Sequence, residues 1–598
     1  MDLKKFFSEL ERRKVYQAAI AYGISAWIIA QIAGLVSASF EFPSWVMKMI
    51  IILLIIGFIT TMVLSWIFDI GPKGIERTEW ESSDLSDEKK PITGKLVISS
   101  LILLSVFIGT GWWTWQELVV NKTNPIKSLA VLPFDNYTGN DELEYFVAGM
   151  HSSLIGDIQK ISALRVPGTT SSNSFKDAKM SIPEIASALN VDALIEASVS
   201  CIEGDSVCIQ IRLVRVYPEE QQLWVKDYYE DKSQILNLYN RVTKQISEEV
   251  NVILTPKEEN LLAESRTVDP DAYEAYLKGQ NHTKNYSKES LYKALDYLNS
   301  AIEKEPDWAL PYAGLANAWL GIQQMGYEPP SVASPKIYEN LNKAIELDPD
   351  LSDAHGLSGL IAHVMEWDWE KSEREYLKAL AINPNDAQSR VLYAQLLCIL
   401  QRPDEGLAQG RLALDLDPLN PSVKGWYAAV LIFVGDFKTA LVLEEEIRVT
   451  DPESYLASAG IQIAAFLCKE YDKLINAERY FLRMYNVKEE DIQEIDRIFN
   501  EQGVVKAYEK TMKHLEEVSK NYPISPFDMA TRYIYANQPD KAMDWLEKGF
   551  ELHEPTMTYI AVTETFAPLF NNPRFISIVE KMNLPMPENY QTTKNKRN

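Results

Sequence analysis

Three ranges near the start of the chain are predominantly apolar and differ from everything that follows. They cover residues 16–40, 49–68 and 96–116, and none contains a charged side chain. Each range has 20 residues or more, which as a helix is long enough to cross a hydrocarbon layer of about 30 Å. The pattern predicts three transmembrane helices in a membrane domain at 1–120. The alternatives are a signal peptide for the first range and buried core helices for all three.

Lysine and arginine residues between these ranges predict an orientation. Five stand before the first range, one stands between the first and the second, and five stand between the second and the third. Positive residues favour the cytoplasmic side of a membrane, so the N-terminus and the 69–95 loop are expected there. With three crossings, the chain after residue 117 is then expected outside.

Residues 126–256 alternate between β-rich runs and helical periodicity. The predicted elements are strands at 128–134, 164–167 and 222–229, a hairpin between 197 and 212, and helices at 142–161, from 181 and at 233–252. This order, β-α-β-α-β-β-β-α, predicts a small α/β domain in which helices pack on a sheet.

Two cysteines flank a predicted hairpin turn in this domain. Gly204-Asp205 has the composition of a two-residue turn, and counting outward from it places Cys201 opposite Cys208. Directly opposed Cα atoms of antiparallel strands lie about 4.5–5.5 Å apart, within the range of a disulfide. The sequence predicts a bridge, which would agree with an oxidising compartment. The alternative is two unlinked small residues on one face of the sheet.

From residue 270 the sequence is helical with a period near 34 residues. Prolines recur on that spacing, at Pro306, Pro349, Pro384, Pro418 and Pro452. An alanine stands five positions before the first four of them, at Ala301, Ala344, Ala379 and Ala413. Tetratricopeptide repeats need small residues where their paired helices approach closely. The pattern predicts a tetratricopeptide-repeat array at 270–584, followed by a tail at 585–598.

Stacked repeats of this kind form a superhelix whose concave face is lined by the first helix of each pair. Mapping the repeat onto this chain places six residues on that face: Asp353, His363, Gln388, Gln395, Trp426 and Phe433. Trp426 and Phe433 are suited to hold an extended peptide or a partner helix. The alternative is that these aromatic side chains belong to the core. The array therefore predicts a protein-binding groove.

Composition and motifs exclude several other functions. The 598 residues carry a net charge of −25, which disfavours a nucleic-acid partner because phosphate binding needs clustered lysine and arginine. The chain has no Cys/His cluster at metal-binding spacing, no Gly-x-x-x-x-Gly-Lys loop and no Gly-x-Ser-x-Gly elbow. We therefore expect no catalytic, cofactor-binding or metal-binding residues, no cofactor and no enzymatic activity.

Several segments resemble a bacterial protein family. Lys127-Ser-Leu-Ala-Val-Leu-Pro-Phe-Asp-Asn136 and the segments 144–150 and 182–193 resemble a domain related to TolB amino-terminal and FlgO-like modules. Residues 6–16 resemble the juxtamembrane opening of the same bacterial proteins. The resemblance implies a domain that joins a membrane segment to tetratricopeptide repeats. Some relatives carry a cyclase, kinase or winged-helix module, for which the roughly 15 residues before the first apolar range leave no room.

Together these features predict a multi-domain protein of three transmembrane helices, a small α/β domain and an all-α repeat superhelix. The expected location is the bacterial inner (cytoplasmic) membrane, with the N-terminus in the cytoplasm and the later domains outside. The expected function is a membrane-anchored extracytoplasmic adaptor that binds protein partners through the repeat groove. The alternative is a transmembrane signalling receptor that couples binding outside to the cytoplasmic 69–95 loop.

Overall fold

The computed structural model describes most of the chain after residue 125 and parts of the chain before it. The described residues are 15–39, 50, 53–58, 60–62, 65, 68–71, 74–77, 125–264, 267–520, 522 and 524–586. The chain forms two compact units, 1–117 and 118–598.

The first unit contains a helix and a β-hairpin among its described residues. Helix α1 is Val15–Ser39, and the described residues between 50 and 65 are also helical. Strand β1, Phe68–Gly71, pairs antiparallel with strand β2, Gly74–Arg77. The third predicted transmembrane range, 96–116, lies outside the described residues.

The transmembrane prediction is wrong for the residues that the structure describes. Among them, no helix combines the length and the apolar character needed to cross a membrane. The prediction relied on the absence of charge, and that criterion gives Gln17, Ser25 and Gln31 the same weight as leucine. The finding contradicts the three transmembrane helices and, with them, the placement in the inner membrane. The adaptor and receptor models lose their membrane component for the same reason.

The second unit begins with a five-stranded sheet. Its strands are β3 Leu129–Val131, β4 Asp135–Asn136, β5 Ala193–Glu203, β6 Ser206–Arg215 and β7 Gln221–Asp231. The order is β3-β5-β6-β7, with β4 also paired to β5; β3 and β4 run parallel to β5, and the remaining pairs are antiparallel. The predicted strand at 164–167 is reduced to a single bridge between Ser128 and Arg165.

Helices pack on this sheet as the sequence predicts. They are α2 Glu144–Ile158, α3 Thr169–Asn173, α4 Ile182–Leu189, α5 Ile235–Glu249 and α6 Pro256–Ala263. The capping box at Ser181 is present: the Ser181 amide donates to the Glu184 carboxylate at 2.7 Å. Apolar side chains of α2 and α5 form a core with the sheet, which fixes the position of α2.

The register of the β5–β6 hairpin is the predicted one. Gly204 has a φ of +54°, a left-handed conformation that glycine adopts at little cost in a two-residue turn. Cys201 lies opposite Cys208, and their sulfur atoms are joined as a disulfide with the Cα atoms 4.9 Å apart. The bridge ties the two central strands of the sheet near their turn.

Residues 270–551 form eight consecutive helix pairs in the described chain. The first helices of the pairs are α7 Pro270–Thr283, α9 Ala309–Gln324, α11 Ser352–Ile361, α13 Ala387–Ile399, α15 Pro421–Phe433, α17 Tyr455–Cys468, α19 Glu489–Gln502 and α21 Pro526–Tyr535. The second helices are α8 Lys288–Lys304, α10 Pro330–Leu347, α12 Trp369–Ile382, α14 Pro403–Leu416, α16 Phe437–Thr450, α18 Tyr471–Met484, α20 Val504–Val518 and α22 Pro539–Glu551.

The small residues of the repeat pattern lie where two helices meet. Ala301, Ala344, Ala379 and Ala413 all have 0% exposed surface. The carbonyl of each also accepts a hydrogen bond from the amide of the residue that ends its helix, directly before the turn proline. The tetratricopeptide-repeat prediction is therefore confirmed. After the eighth pair the chain continues as a closing segment, residues 553–584, with 3-10 turns at Pro555–Tyr559 and Glu564–Leu569 and helix α23 at Pro573–Lys581.

Candidate functional site

Three of the six predicted groove residues lie under the closing segment. Tyr559 donates a hydrogen bond from its hydroxyl to Gln395 Oε1 at 2.9 Å. Its ring stacks on Phe433 at a centroid distance of 5.4 Å and meets the His363 ring edge-on at 5.8 Å. Gln395 and His363 have no exposed surface, so the chain itself occupies this part of the predicted groove.

The closing segment contributes to the largest core of the molecule. Its fully buried apolar side chains include Met557, Ile560, Phe566, Leu569 and Phe575. Burial of an apolar side chain of this size contributes about 1.5–3 kcal/mol, so these five together contribute roughly 8–15 kcal/mol. Binding at a micromolar Kd supplies only about 8 kcal/mol. A partner of ordinary affinity therefore does not displace the closing segment, and this part of the predicted groove is core.

The other predicted groove residues are accessible to different degrees. Trp426 is half-buried, and its backbone carbonyl accepts a hydrogen bond from Gln395 Nε2 at 3.1 Å. Gln388 is exposed near the start of α13. Asp353 is exposed in the first turn of α11, where it lines a cleft. Of the six, only Asp353 borders that cleft.

The cleft lies between the α/β domain and the first helices of the array. It has a volume of about 840 Å³. One wall is the face of α2 that carries Ala148, Ser152 and Gly156, and the opposite wall includes α7 and the turns before α9 and α11. A side chain at Gly156 would meet no atom within 4 Å of its Cβ, so this wall leaves open space.

Buried polar contacts hold one end of the cleft. Asn385, in the turn before α13, is 3% exposed. Its amide donates to the backbone carbonyls of Gln159 at 2.8 Å and Leu164 at 2.9 Å, and its Oδ1 accepts from the Val166 amide at 3.1 Å. The α/β domain is thus fastened to a turn between two repeats.

A second turn and the first repeat helix complete the attachment. Asp417, 4% exposed, accepts a hydrogen bond from the Ser171 amide at 3.2 Å, and the Leu419 amide donates to Ser171 Oγ at 2.8 Å. On the other side of the cleft, Tyr145 of α2 donates to Glu274 of α7 at 2.9 Å. Because both sides are held, the cleft is a preformed concavity rather than a gap between loose domains.

The cleft combines aromatic rings with negative charge. Tyr276 and Trp308 are half-buried in its wall, with ring centroids 4.8 Å apart. Burial within the walls, followed by the charge of Asp386, raises the pKa of the Asp353 carboxyl. Burial, followed by the charge of Asp353, raises the pKa of Tyr276, which places these two groups within electrostatic reach of each other.

Histidines in the array are structural. His355 interacts through Nδ1 with Glu375 Oε2 at 2.7 Å and through Nε2 with the Pro349 carbonyl at 3.0 Å. Burial lowers the pKa of His363 to about 3, so its ring is neutral. Both histidines therefore have roles within the fold.

One group of side chains on α19 and α20 has donor atoms that a metal could use. Asp491, Glu494 and His514 bring one such atom each to within 4.8 Å of one another. Lys510 Nζ, however, lies 2.7 Å from Glu494 Oε2. This ammonium group competes with a cation for the carboxylate, so we assign no metal to the group.

Comparison with known proteins gives partial similarities. No model of a protein family matches the chain. The chain is 27% identical over 237 residues to putative adenylate cyclase 3 of Rhizobium meliloti, covering 38% of each chain. It is 26% identical over 308 residues to the transcriptional regulator HilA of Salmonella typhimurium, covering 49% of this chain and 51% of HilA. The chain thus spans about two fifths to one half of the length of these curated relatives.

Comparison with solved structures gives matches at low TM-scores. PilF of Pseudomonas aeruginosa has a TM-score of 0.28 at 16% identity, over 38% of this chain and 98% of PilF. PilW, a type IV pilus biogenesis factor, has a TM-score of 0.29 at 15% identity, over 37% and 97%. Yeast Tom70 has a TM-score of 0.31 at 17% identity, over 58% and 77%.

Proposed function

We propose that this chain is a protein-binding scaffold that takes an extended segment of its partner into the cleft between the α/β domain and the array. The observation that carries the proposal is the cleft itself, about 840 Å³ in volume and held open on both sides by buried polar contacts. Pockets formed where two domains meet are frequent binding sites. The part of the predicted groove around His363, Gln395 and Phe433 is filled by the closing segment, whereas Asp353 borders the open cleft.

The curated relatives are consistent with a binding role for the parts of this chain that they resemble. One is named a putative adenylate cyclase and the other a transcriptional regulator, and each is matched over about half of its length or less. Two proteins with different names that each resemble part of this chain are consistent with a binding part joined to different effector parts. The activities of those proteins are not transferred to this chain.

We also propose that the chain has no catalytic activity of its own. Burial raises the pKa of the Cys398 thiol to about 12, which keeps it protonated and unreactive at neutral pH. His355 and His363 are engaged within the fold, as described above. A scaffold does not need a reactive thiol or a free imidazole, because it catalyses no reaction.

A peptide-display selection on the full-length chain tests the scaffold proposal. Random peptides are selected on the wild-type chain and then measured on Gly156→Phe, which places a ring in the open space of the cleft. The matched control is Ser187→Phe, on the exposed surface of α4. We expect selected peptides to lose binding on Gly156→Phe and to keep it on Ser187→Phe. Equal binding to both variants would place the peptide site elsewhere and overturn the proposal.

A further inference from the structure

We infer that the cleft selects a partner segment that carries a lysine or arginine side chain, which pairs with Asp353 beside the rings of Tyr276 and Trp308. The inference rests on the proposed scaffold function and names the chemistry of its ligand. It commits to an extended peptide as the occupant, because the cleft is bordered by α7 and by the first residues of α9 and α11, the first helices of three successive repeats.

The charge balance of the cleft favours a cation. Seven acidic residues and two lysines line it. One of the lysines, Lys160, lies 2.7 Å from Asp157 on the same helix end, so its charge is already paired. The other, Lys284, is exposed at the end of α7. An anionic ligand would meet an excess of negative charge, whereas a cationic side chain would be attracted to it.

Asp353 is the carboxylate best placed to receive that cation. Ser352 Oγ donates a hydrogen bond to Asp353 Oδ1 at 3.4 Å, which is long for a hydroxyl donor to a carboxylate. The cleft walls displace part of the water around it, and the negative charge of Asp386 acts in the same unfavourable direction; the charge of Lys160 opposes both effects, but the pKa of the carboxyl is still raised. A lysine or arginine from a ligand would compensate both effects.

The neighbouring aromatic pair adds selectivity for a cation over a neutral polar group. The rings of Tyr276 and Trp308 are tilted by 59° at a centroid distance of 4.8 Å, and both border the cleft. A cation over the face of tryptophan or tyrosine gains a further electrostatic attraction, which is stronger where water is partly excluded. Carboxylate and ring faces together recognise both the charge and the carbon stem of lysine or arginine.

The test uses the same display library on two charge variants. Asp353→Asn removes the carboxylate with little change in shape. The matched control is Asp540→Asn, because Asp540 is also an exposed aspartate in the first turn of a repeat helix but lies outside the cleft. We expect lysine and arginine to be enriched in peptides selected on the wild-type chain. Those peptides should bind Asp353→Asn about 10- to 100-fold more weakly and Asp540→Asn with unchanged affinity.

The charge-reversed variant Asp353→Lys provides a second readout. Selection on it should shift the enriched residues from lysine and arginine to aspartate and glutamate. Measurements at 0.5 M salt remove the general attraction of basic peptides to an acidic protein, so a preference that survives belongs to the cleft.

The outcomes distinguish a failure of the cationic-ligand inference from a failure of the scaffold proposal on which it rests. If peptides are displaced by Gly156→Phe but show no enrichment of lysine or arginine, or bind Asp353→Asn unchanged, the scaffold stands and the cationic ligand is wrong. If no selected peptide responds to Gly156→Phe, both proposals fail.

Discussion

Helix α11 contributes to two regions that differ in kind. Asp353 in its first turn borders the cleft, while His363, just beyond its last residue, lies under the closing segment. Around His363 the covering groups are aromatic and aliphatic, and the surface is fully buried. Around Asp353 they are carboxylates, amides and half-buried rings across an open space. The concave face of the repeats is part of the core where apolar side chains of the closing segment cover it. It stays accessible to a ligand where polar groups line an open cleft.

Removal of a closing-segment ring should give the largest effect and would break the comparison most directly. Phe566 is fully buried and packs edge-on against Phe527 at 5.2 Å. We expect Phe566→Ala to lower the free energy of unfolding by about 3–5 kcal/mol, because it leaves a cavity in the core. Chemical denaturation measures the change, with Val449→Ala, 81% exposed, as the control. A loss below about 1 kcal/mol would show that the segment is loosely attached and displaceable.

A pH titration should give the next largest effect and distinguishes the buried region from the cleft. The pKa of His363 is lowered to about 3 because burial disfavours the charged ring. In the unfolded chain this histidine binds a proton near pH 6.5, whereas in the folded chain it stays neutral until the pH is much lower. The stability that the neutral ring contributes is therefore complete above pH 6.5 and is lost as the pH falls toward 3. The slope approaches about 1.4 kcal/mol per pH unit well below pH 6.5, which integrates to roughly 2.3 kcal/mol between pH 6.5 and 4.5.

His363→Leu should flatten this acid loss. The measurement is the unfolding free energy of both chains at several pH values, compared as slopes so that any constant change in packing drops out. His282→Leu, at a half-buried ring hydrogen-bonded to Ser290, controls for the loss of a histidine. An unchanged slope in His363→Leu would mean that water reaches this ring, and the region would then resemble the cleft.

Removal of the Asn385 side chain, which fastens the α/β domain to the array, should have a smaller effect on the free energy of unfolding and tests whether the cleft is preformed. Asn385→Ala leaves the carbonyls of Gln159 and Leu164 and the amide of Val166 without their partner. We expect a loss of about 2 kcal/mol, since each buried polar group left unpaired is costly. Hydrogen exchange at the Val166 amide should become faster, while Gln388→Ala, at an exposed residue in the first turn of α13, should leave it unchanged. Unaltered exchange would show that the α/β domain is held by other contacts.

The sequence predicted local features well and distant ones poorly. Neighbouring residues determine the Cys201–Cys208 register and the 34-residue period, so the hairpin and the repeats could be read directly. The contact between Gln395 and Tyr559 joins residues 164 positions apart, and no local sequence pattern predicts it. Assignment of Gln395 and Phe433 to an open groove assumed that the face was empty.

The interface of the α/β domain was missed for a related reason. Asn385 follows a turn proline, and an asparagine in such a turn has a sufficient local explanation. Its burial against the α/β domain is a tertiary contact, which composition does not predict. Asp353 was predicted on the concave face of the array, and the structure shows it exposed beside the cleft; the opposite wall, α2, could be known only from the structure.

The smallest predicted effect isolates the polar contact within the buried region. Tyr559→Phe removes the hydroxyl that donates to Gln395 Oε1 and keeps the ring that stacks on Phe433. We expect a loss of about 1 kcal/mol, the usual net value of one hydrogen bond, because Gln395 Nε2 still donates to Trp426. Gln395→Leu in the Tyr559→Phe background should restore part of the loss, since an apolar pair leaves no unpaired acceptor. A loss well above 3 kcal/mol would show that polar contacts hold the closing segment, and the contrast with the cleft would then be one of degree.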